Sequence, residues 1–163
     1  MPSPPLTPLA VALLQIPAPE RALVIGSGNG DAALYLAREF PSARIRGVDR
    51  SPARVREAST RVGLDPEGRI AFKASEGKAL PYPDEFFDLV VLLDRHAGAA
   101  EIARVMRPGA HLVTIDPGEQ VGALAGARAK LARRLLARRG IEPVTIASAG
   151  DGNFFVARRR EED

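Results

Sequence analysis

The stretch Val24-Ile25-Gly26-Ser27-Gly28-Asn29-Gly30 sets three alternating glycines behind an apolar run, and Asp49 follows nineteen residues after the last glycine. Ala22 to Ile25 is short, apolar and closed by glycine, which suits a buried strand. Asp31 to Phe40 ("DAALYLAREF") then carries apolar residues at helical spacing, with Pro41 and Ser42 punctuating its end. "ARIRGVD" reads as a second strand with Asp49 at its close. Glycine tolerates positive φ and lets backbone approach a ligand closely, as a tight strand-to-helix turn needs. An acid ending the next strand can accept two hydrogen bonds from a ribose diol. The combination points to a nucleoside-type ligand. The plainer alternative is a turn whose glycines serve only helix–sheet packing.

The same alternation continues along the chain. "SPARVREASTRVG" predicts a helix with Ser51 as N-cap, Pro52 at the first helical position and Gly63 at the close. "RIAFKA" is a third strand. "FFDLVVLLD" is the most apolar strand and the expected centre of the sheet. The helix "AAEIARVM" stops at Arg107-Pro108-Gly109, "AHLVTID" is a fifth strand, and "EQVGALAGARAKLARRLLARRG" is a long helix closed by Gly140. "EPVTIAS" and "NFFVARR", joined by "AGDG", form a hairpin. Strands alternating with helices, then a hairpin, describe an α/β fold with a mostly parallel sheet. No repeat or linker divides the chain. The expectation is one domain over residues 1–163: an N-terminal helix or cap over 1–19, a core over 20–158 and a frayed tail over 159–163.

Composition narrows the class. A chain of 163 residues with 45% hydrophobic and 26% charged residues is that of an ordinary globular protein. There is no cysteine, which excludes disulfides, thiolate nucleophiles and cysteine metal sites. Leu9 to Ile16 is too short to cross a membrane and lacks the basic flank of a signal peptide. A cytoplasmic protein without membrane attachment is the expectation. The net charge of +3 is a weak pull toward nucleic acid.

The glycine spacing also bears on the ligand. The dinucleotide pattern is G-x-G-x-x-G/A, whereas the third place after Gly28 is Asp31. An acid in the first turn of that helix faces a pyrophosphate unfavourably, because the helix end attracts negative charge. A ligand without phosphates and with a cationic centre fits better.

"LVIGSGNG", "GVDRSP", "LPYPDEFFDLVVLLD" and "EIARVMRPGAHLVTID" resemble, in that order, the successive motifs of the class I S-adenosylmethionine-dependent methyltransferases. The resemblance runs from about Ala22 to Asp116, and the final helix and hairpin fit the same fold. It implies a Rossmann-like three-layer sandwich: a seven-stranded, mostly parallel sheet with an antiparallel edge hairpin. It also implies S-adenosyl-L-methionine as cofactor and transfer of its methyl group to an acceptor, here expected to be a small molecule. By the family's pattern the loop of Gly26, Ser27, Gly28 and Gly30 passes under the methionine part. Asp49 holds the ribose hydroxyls, Arg50 lies near the adenine, Glu76 meets the adenine amino group and Gly77 offers a backbone N–H to the ring. One position departs: the family often has an acid two residues before the first glycine, and here that residue is Val24. Asp31 is one substitute for that charge.

Methyl transfer from a sulfonium needs alignment of an attacking nucleophile, and a base where the nucleophile must lose a proton. Asp94 and His96, after the fourth strand, are the candidate catalytic groups; an imidazole suits general-base duty near neutral pH. The alternative for both is a capped turn with a surface histidine. His111, at the start of the fifth strand, reads as structural. Asp94 and Asp116 end adjacent strands, the arrangement that holds a divalent ion in catechol-type relatives, but Pro117 offers no third ligand and no metal is expected. The arginine-rich helix places Leu124, Leu131 and Leu135 on one face and Lys130, Arg133 and Arg134 opposite, an ordinary amphipathic helix rather than a nucleic-acid platform. The segment between Asp94 and Arg107 is short for a substrate cover. A small pocket, a pocket completed by a second subunit in a homodimer, or a lost acceptor site all suit it. A non-catalytic cofactor-binding or partner-binding module is the alternative to an enzyme.

Overall fold

The computed structural model describes residues 6–76, 78–94, 97–117, 123–150 and 152–162. The elements run in the order α1 (Leu6–Leu13), β1 (Arg21–Ile25), α2 (Asp31–Glu39), β2 (Arg44–Asp49), α3 (Pro52–Val62), β3 (Ile70–Ala74), β4 (Phe87–Leu92), α4 (Ala99–Val105), β5 (Met106–Pro117), α5 (Ala123–Arg138), β6 (Ile141–Ala149) and β7 (Gly152–Arg159). The seven strands form one sheet in the order β3-β2-β1-β4-β5-β7-β6. β1 to β5 are parallel, whereas β7 is antiparallel to both β5 and β6. β4 is the central strand, as its apolar sequence predicts.

Both faces of the central strands are covered, so these strands read as continuous apolar runs rather than alternating ones. Along β1, Leu23 and Ile25 join a core cluster with Ile102 and Val105 of α4 and Leu136 of α5. The intervening Ala22 and Val24 join the opposite cluster, with Leu9 and Ala12 of α1 and Ala33 and Leu36 of α2. This period of two places helices on both sides of the sheet. The result is the three-layer, Rossmann-like sandwich with an antiparallel edge pair that the motif resemblance implies.

Helix α3 begins and ends where its sequence says. Ser51 accepts a hydrogen bond from the Arg54 N–H at 3.2 Å, Pro52 opens the helix and Gly63 closes it at φ +65°. The start of β5 differs from expectation. The strand leaves α4 directly at Met106, and Arg107 to Ala110 form an irregular bulge between the pairs Phe87↔Met106 and Leu89↔His111. Gly109 takes the φ of +80° that this bulge needs. At the carboxyl end, β7 runs through Arg159, whose guanidinium donates to the carbonyls of Ala103 and Met106. The Arg160 N–H donates to the Gly140 carbonyl at 2.9 Å, so residues 159–160 are tied to the sheet edge rather than frayed.

Candidate functional site

β1 has β2 on one side and β4 on the other, so the order of connection reverses between β1 and β4. In open α/β sheets ligands bind outside the carboxyl ends of the strands at such a reversal. The residues there are the glycine loop after β1, Asp49 at the end of β2, the segment after β3 and Asp94 after β4.

Backbone hydrogen bonds hold the loop. The Gly26 and Ser27 N–H groups both donate to the Val48 carbonyl, at 2.9 and 3.0 Å, and the Gly30 N–H donates to the Ser27 carbonyl at 2.9 Å. Gly26, Gly28 and Gly30 have φ values of +79°, +54° and +93°, all in the region that disfavours a side chain. Their surroundings differ. A Cβ at Gly30 would press on Ala58 and Phe72 at 3.2–3.3 Å, so that glycine serves helix packing. A Cβ at Gly28 would meet no atom within 4 Å, which leaves its Cα facing open space at the end of the sheet.

Asp49 links the loop to the next helix. Its Oδ2 accepts the Gly28 N–H at 3.0 Å, its Oδ1 accepts the Ser51 N–H at 2.9 Å, and the Arg54 Nε lies 3.1 Å from Oδ1. The residue is only 3% exposed, so these bonds compensate its desolvation. A carboxylate offers about four lone-pair sites. Among the described residues three are taken, two on Oδ1 and one on Oδ2, so accepting capacity is left on Oδ2.

Arg54 was not singled out from the sequence, yet a signal was there. A cation in the first turn of a helix opposes the helix dipole unless an acid answers it, and Arg54 is in the first turn of α3. Arg61 was missed as well. Its Nη1 pairs with Asp31 at 2.6 Å and donates to the Asn29 carbonyl at 2.9 Å, bracing the loop from α3. Gly47 has no signature of its own in the sequence. A Cβ there would stand 2.5 Å from the Phe72 ring and 2.9 Å from the Ser27 Cβ, so its bareness lets the loop seat on β2. Ser27 is 2% exposed, and its hydroxyl has no hydrogen-bond partner among the described residues.

The remaining candidates sort as follows. Arg50 is exposed just beyond Asp49, and Glu76 is exposed just beyond β3. Gly77 and His96 lie outside the described residues. Asp94 is half-buried and lies against the first glycine of the loop: a Cβ on Gly26 would stand 2.6 Å from its carboxyl carbon. Val24 is fully buried in the core cluster with α1 and α2, so the place of the missing motif acid is filled by apolar packing. Asp116, one residue before the end of β5, is paired with Asn153. Among the described residues no group of three or more His, Asp or Glu side chains is placed to hold a metal ion.

Arg104 of α4 organises the segment between β3 and β4. It donates to the Leu80 and Tyr82 carbonyls at 2.9 and 2.8 Å, to Asp84 at 2.8 Å and to both Glu101 oxygens at 2.9 Å. Glu101 also accepts the Leu80 N–H at 2.7 Å. The Arg104 hydrogen bonds, together with that N–H, hold the Glu101 carboxyl below its usual pKa, against the opposing effect of burial. Burial pushes the Tyr82 phenol up to about 12.

The opposite end of the strands carries a concavity of about 270 Å³, lined by residues 17–19, Asp88, residues 107–111 and Glu161. It includes His111, whose pKa is lowered by burial and by Arg158. Asp88 there accepts the Glu20 and Arg21 N–H groups at 2.8 and 2.9 Å. These bonds fix the entry of β1, and the position at the amino ends of the strands sets it apart from the ligand end.

Comparison with known proteins agrees with this geometry. The model of the methyltransferase domain family matches residues 22–110, more than half of the chain. The chain belongs to the class I S-adenosylmethionine-dependent methyltransferase family. It is 36% identical over 105 residues to the ubiquinone/menaquinone biosynthesis C-methyltransferase of Geobacter sulfurreducens, covering 59% of this chain and 41% of that protein. It is 34% identical over 118 residues to the demethylmenaquinone methyltransferase of Thermus thermophilus, covering 66% and 51%. The chain thus spans about half the length of the curated relatives it matches. Among solved structures, an S-adenosylmethionine-dependent methyltransferase from Aquifex aeolicus superposes with a TM-score of 0.75 at 20% identity, covering 94% of this chain and 90% of that one. That likeness is one of fold.

The residues present fit the family's cofactor. Gly28 leaves room at the strand ends, and the buried Asp49 beside it keeps accepting capacity on Oδ2. Asp94 adds negative charge at the loop. No acidic phosphate has to be accommodated at α2, whose first turn carries Asp31.

Proposed function

We propose that the chain transfers a methyl group from S-adenosylmethionine to a small-molecule acceptor. The observation that carries this reading is the buried Asp49 carboxylate at the strand reversal, tied through Oδ2 to the N–H of Gly28, whose Cα faces open space. When bound, the cofactor supplies a methyl group on a cationic sulfur, which leaves as a neutral thioether. The chain's own part is to bind, align and exclude water. Asp49 accepts a ribose hydroxyl on Oδ2; a second hydroxyl needs Arg54 to release Oδ1. The bare Gly28 lets the cofactor lie close to the backbone, the Arg104 network fixes Leu80 to Asp84, and Glu76, upstream of that segment, is assigned to the adenine.

A small-molecule acceptor is supported by the relatives. They include proteins of quinone biosynthesis and the 27-O-demethylrifamycin SV methyltransferase of Amycolatopsis mediterranei. Nucleic acid is disfavoured because the basic side chains of α5 are not interleaved with aromatic ones. No helix among the described residues is long and apolar enough to cross a membrane, which accords with a cytoplasmic setting. Leu131 and Leu135 of α5 and Val144 and Ile146 of β6 are exposed apolar side chains, consistent with a homodimer. The catalytic assignment of His96, four residues after β4 in the sequence, belongs to this proposal.

The test is incubation with methyl-labelled S-adenosylmethionine and a panel of quinols, phenols and small amines. Label transfer to one acceptor class, with matching release of S-adenosylhomocysteine, is the expected result. Cofactor binding without transfer to any acceptor would favour the second reading, a non-catalytic module. The buried Val24 and the short β4–β5 connection, in which α4 is the one helix among the described residues, motivate that alternative.

A further inference from the structure

We infer that Arg21, Arg44 and Arg46 form a second binding site, for the diphosphate group of a small molecule, on an uncovered face of β1 and β2. The site is independent of the cofactor reading and lies toward the amino ends of the strands, away from the glycine loop.

β1 and β2 run parallel, with Arg21 paired to Arg44 and Leu23 to Arg46. Leu23 and Ile25 of β1 and Val48 of β2 belong to the core cluster of α4 and α5, so the period of two puts all three arginines on that same face. Strand spacing and rise set their Cα atoms roughly 5–8 Å apart. Among the described residues the β3–β4 connection holds no helix to cover them. Arg21 and Arg46 are half-buried and Arg44 is exposed. Together with Phe86 and Phe87 they line a hollow of about 20 Å³.

An uncovered sheet face takes polar residues in any case, but these are all of one sign. β3 adds Lys73, in register with Val48, and no acid of β1 to β3 shares the face. Among the described residues none of the three arginines meets a carboxylate. Arg46 Nη1 donates to the Ile45, Gly68 and Arg69 carbonyls at 3.0, 3.3 and 3.1 Å, and Arg44 Nη1 to the Glu67 carbonyl at 3.5 Å. The Arg21 guanidinium carbon lies 4.4 Å from the centre of the Phe86 ring. Arg104, by contrast, meets both Asp84 and Glu101. Carbonyls and a ring hold these guanidinium groups in place without cancelling their charge.

Like charges partly withdrawn from water repel one another, and a bound anion offsets that repulsion. Guanidinium forks match the oxygens of a phosphate. A diphosphate has the charge and the length to meet three of them, which a single carboxylate lacks. The hollow is too small to enclose more than such a group, so the rest of the ligand extends into solvent. Single-stranded nucleic acid is a poorer fit, because it stacks its bases on open rings. Here Arg21 lies over Phe86, and the Lys73 Nζ lies 5.3 Å from the centre of the Tyr82 ring.

The experiment is calorimetric titration with pyrophosphate, at fixed ionic strength and without divalent cations. It compares wild type, Arg21→Gln, Arg44→Gln and, as a control on α5, the exposed Arg128→Gln. The inference predicts one saturable site in wild type, about 10-fold or greater weakening in Arg21→Gln and Arg44→Gln, and no change in Arg128→Gln. Thermal unfolding of each variant checks its fold, and pyrophosphate should raise the Tm of wild type and Arg128→Gln more than that of the other two. Arg44 is exposed and its side chain makes one long hydrogen bond, so Arg44→Gln keeps the fold. No saturation up to millimolar pyrophosphate overturns the inference. Equal weakening in all three variants overturns it too, because the attraction would then be to net charge alone. A single-stranded oligonucleotide that binds more tightly than pyrophosphate, and loses affinity in the same two variants, overturns the assignment to a small molecule. None of these readouts involves S-adenosylmethionine, so their failure leaves the cofactor reading standing.

Discussion

Replacing Asp49 by asparagine keeps the shape of the side chain and removes one acceptor, which makes it a sharp probe of the loop. In the structure Oδ2 accepts the Gly28 N–H, and Oδ1 accepts the Ser51 N–H beside Arg54. An asparagine must put its NH2 at one of these two places. At Oδ1 it would face two donors, one of them cationic; at Oδ2 it would face one. The second orientation is preferred, and it leaves the Gly28 N–H without its acceptor. An unsatisfied, largely buried donor costs about 1–3 kcal/mol, and Gly28 is only part-buried, so a figure near 1 kcal/mol is expected. For a chain of this size that is a fall of about 2–4 °C in Tm. Binding should suffer more. The oxygen with the free lone pair becomes a donor pointed at a ribose hydroxyl, a loss of roughly 1.5–3 kcal/mol, or about 10- to 150-fold in Kd. Thermal unfolding of the ligand-free variant and calorimetric titration with S-adenosylhomocysteine separate the two effects. A variant with lowered Tm and wild-type affinity would refute the assignment of Asp49 to the ribose, leaving it a structural tie between loop and helix.

Three further outcomes follow from the same geometry. Arg54→Met should free the third lone-pair site on Asp49 and tighten S-adenosylhomocysteine binding by a few-fold, the modest size reflecting a guanidinium that is 36% exposed; weaker binding in the titration would make Arg54 a cofactor contact. Gly47→Ala should destabilise by about 1–3 kcal/mol through overpacking against Phe72 and Ser27, whereas Gly28→Ala should cost about 1–2 kcal/mol for its positive φ and lose cofactor affinity because its Cβ enters the open space; equal binding losses in the two variants would contradict this division. Glu101 has a folded pKa below its ordinary value of 4.5, so its contribution to stability is present above that pH and is lost as pH falls through the folded value. Tm measured from neutral pH to pH 3 should fall less in Glu101→Gln than in wild type, and identical slopes would remove Glu101 from the account.

The sheet and its helices were legible because their signals are local. Ser51 with Pro52, the glycines at 63 and 140, and the apolar run of β4 each fix a boundary or a centre without reference to the rest of the chain. The family was legible too, since four motifs in order span most of the sheet. The start of β5 was not, because Arg107-Pro108-Gly109 reads as a stop, while the pairing of Met106 with Phe87 extends the strand back to α4.

The site was legible in part. Glycines and an acid at strand ends announce themselves by spacing, but their partners come from elsewhere in the chain. Arg61 reaches Asp31 across thirty residues, and Asp94 meets Gly26 only because β4 lies beside β1. Gly47 looks like any glycine in a strand until Phe72 and Ser27 are seen pressed against it. Such juxtapositions are properties of the sheet order, which no short stretch of sequence carries.

The central claim is that the glycine loop and Asp49 form a site for S-adenosylmethionine. Its most direct test is calorimetric titration of the purified wild-type protein with S-adenosylmethionine and, separately, S-adenosylhomocysteine. The account predicts saturable binding at one site per chain with Kd on the order of micromolar, about −8 kcal/mol. Absence of heat for either ligand up to millimolar concentration would contradict it and leave a methyltransferase fold that does not hold the family's cofactor.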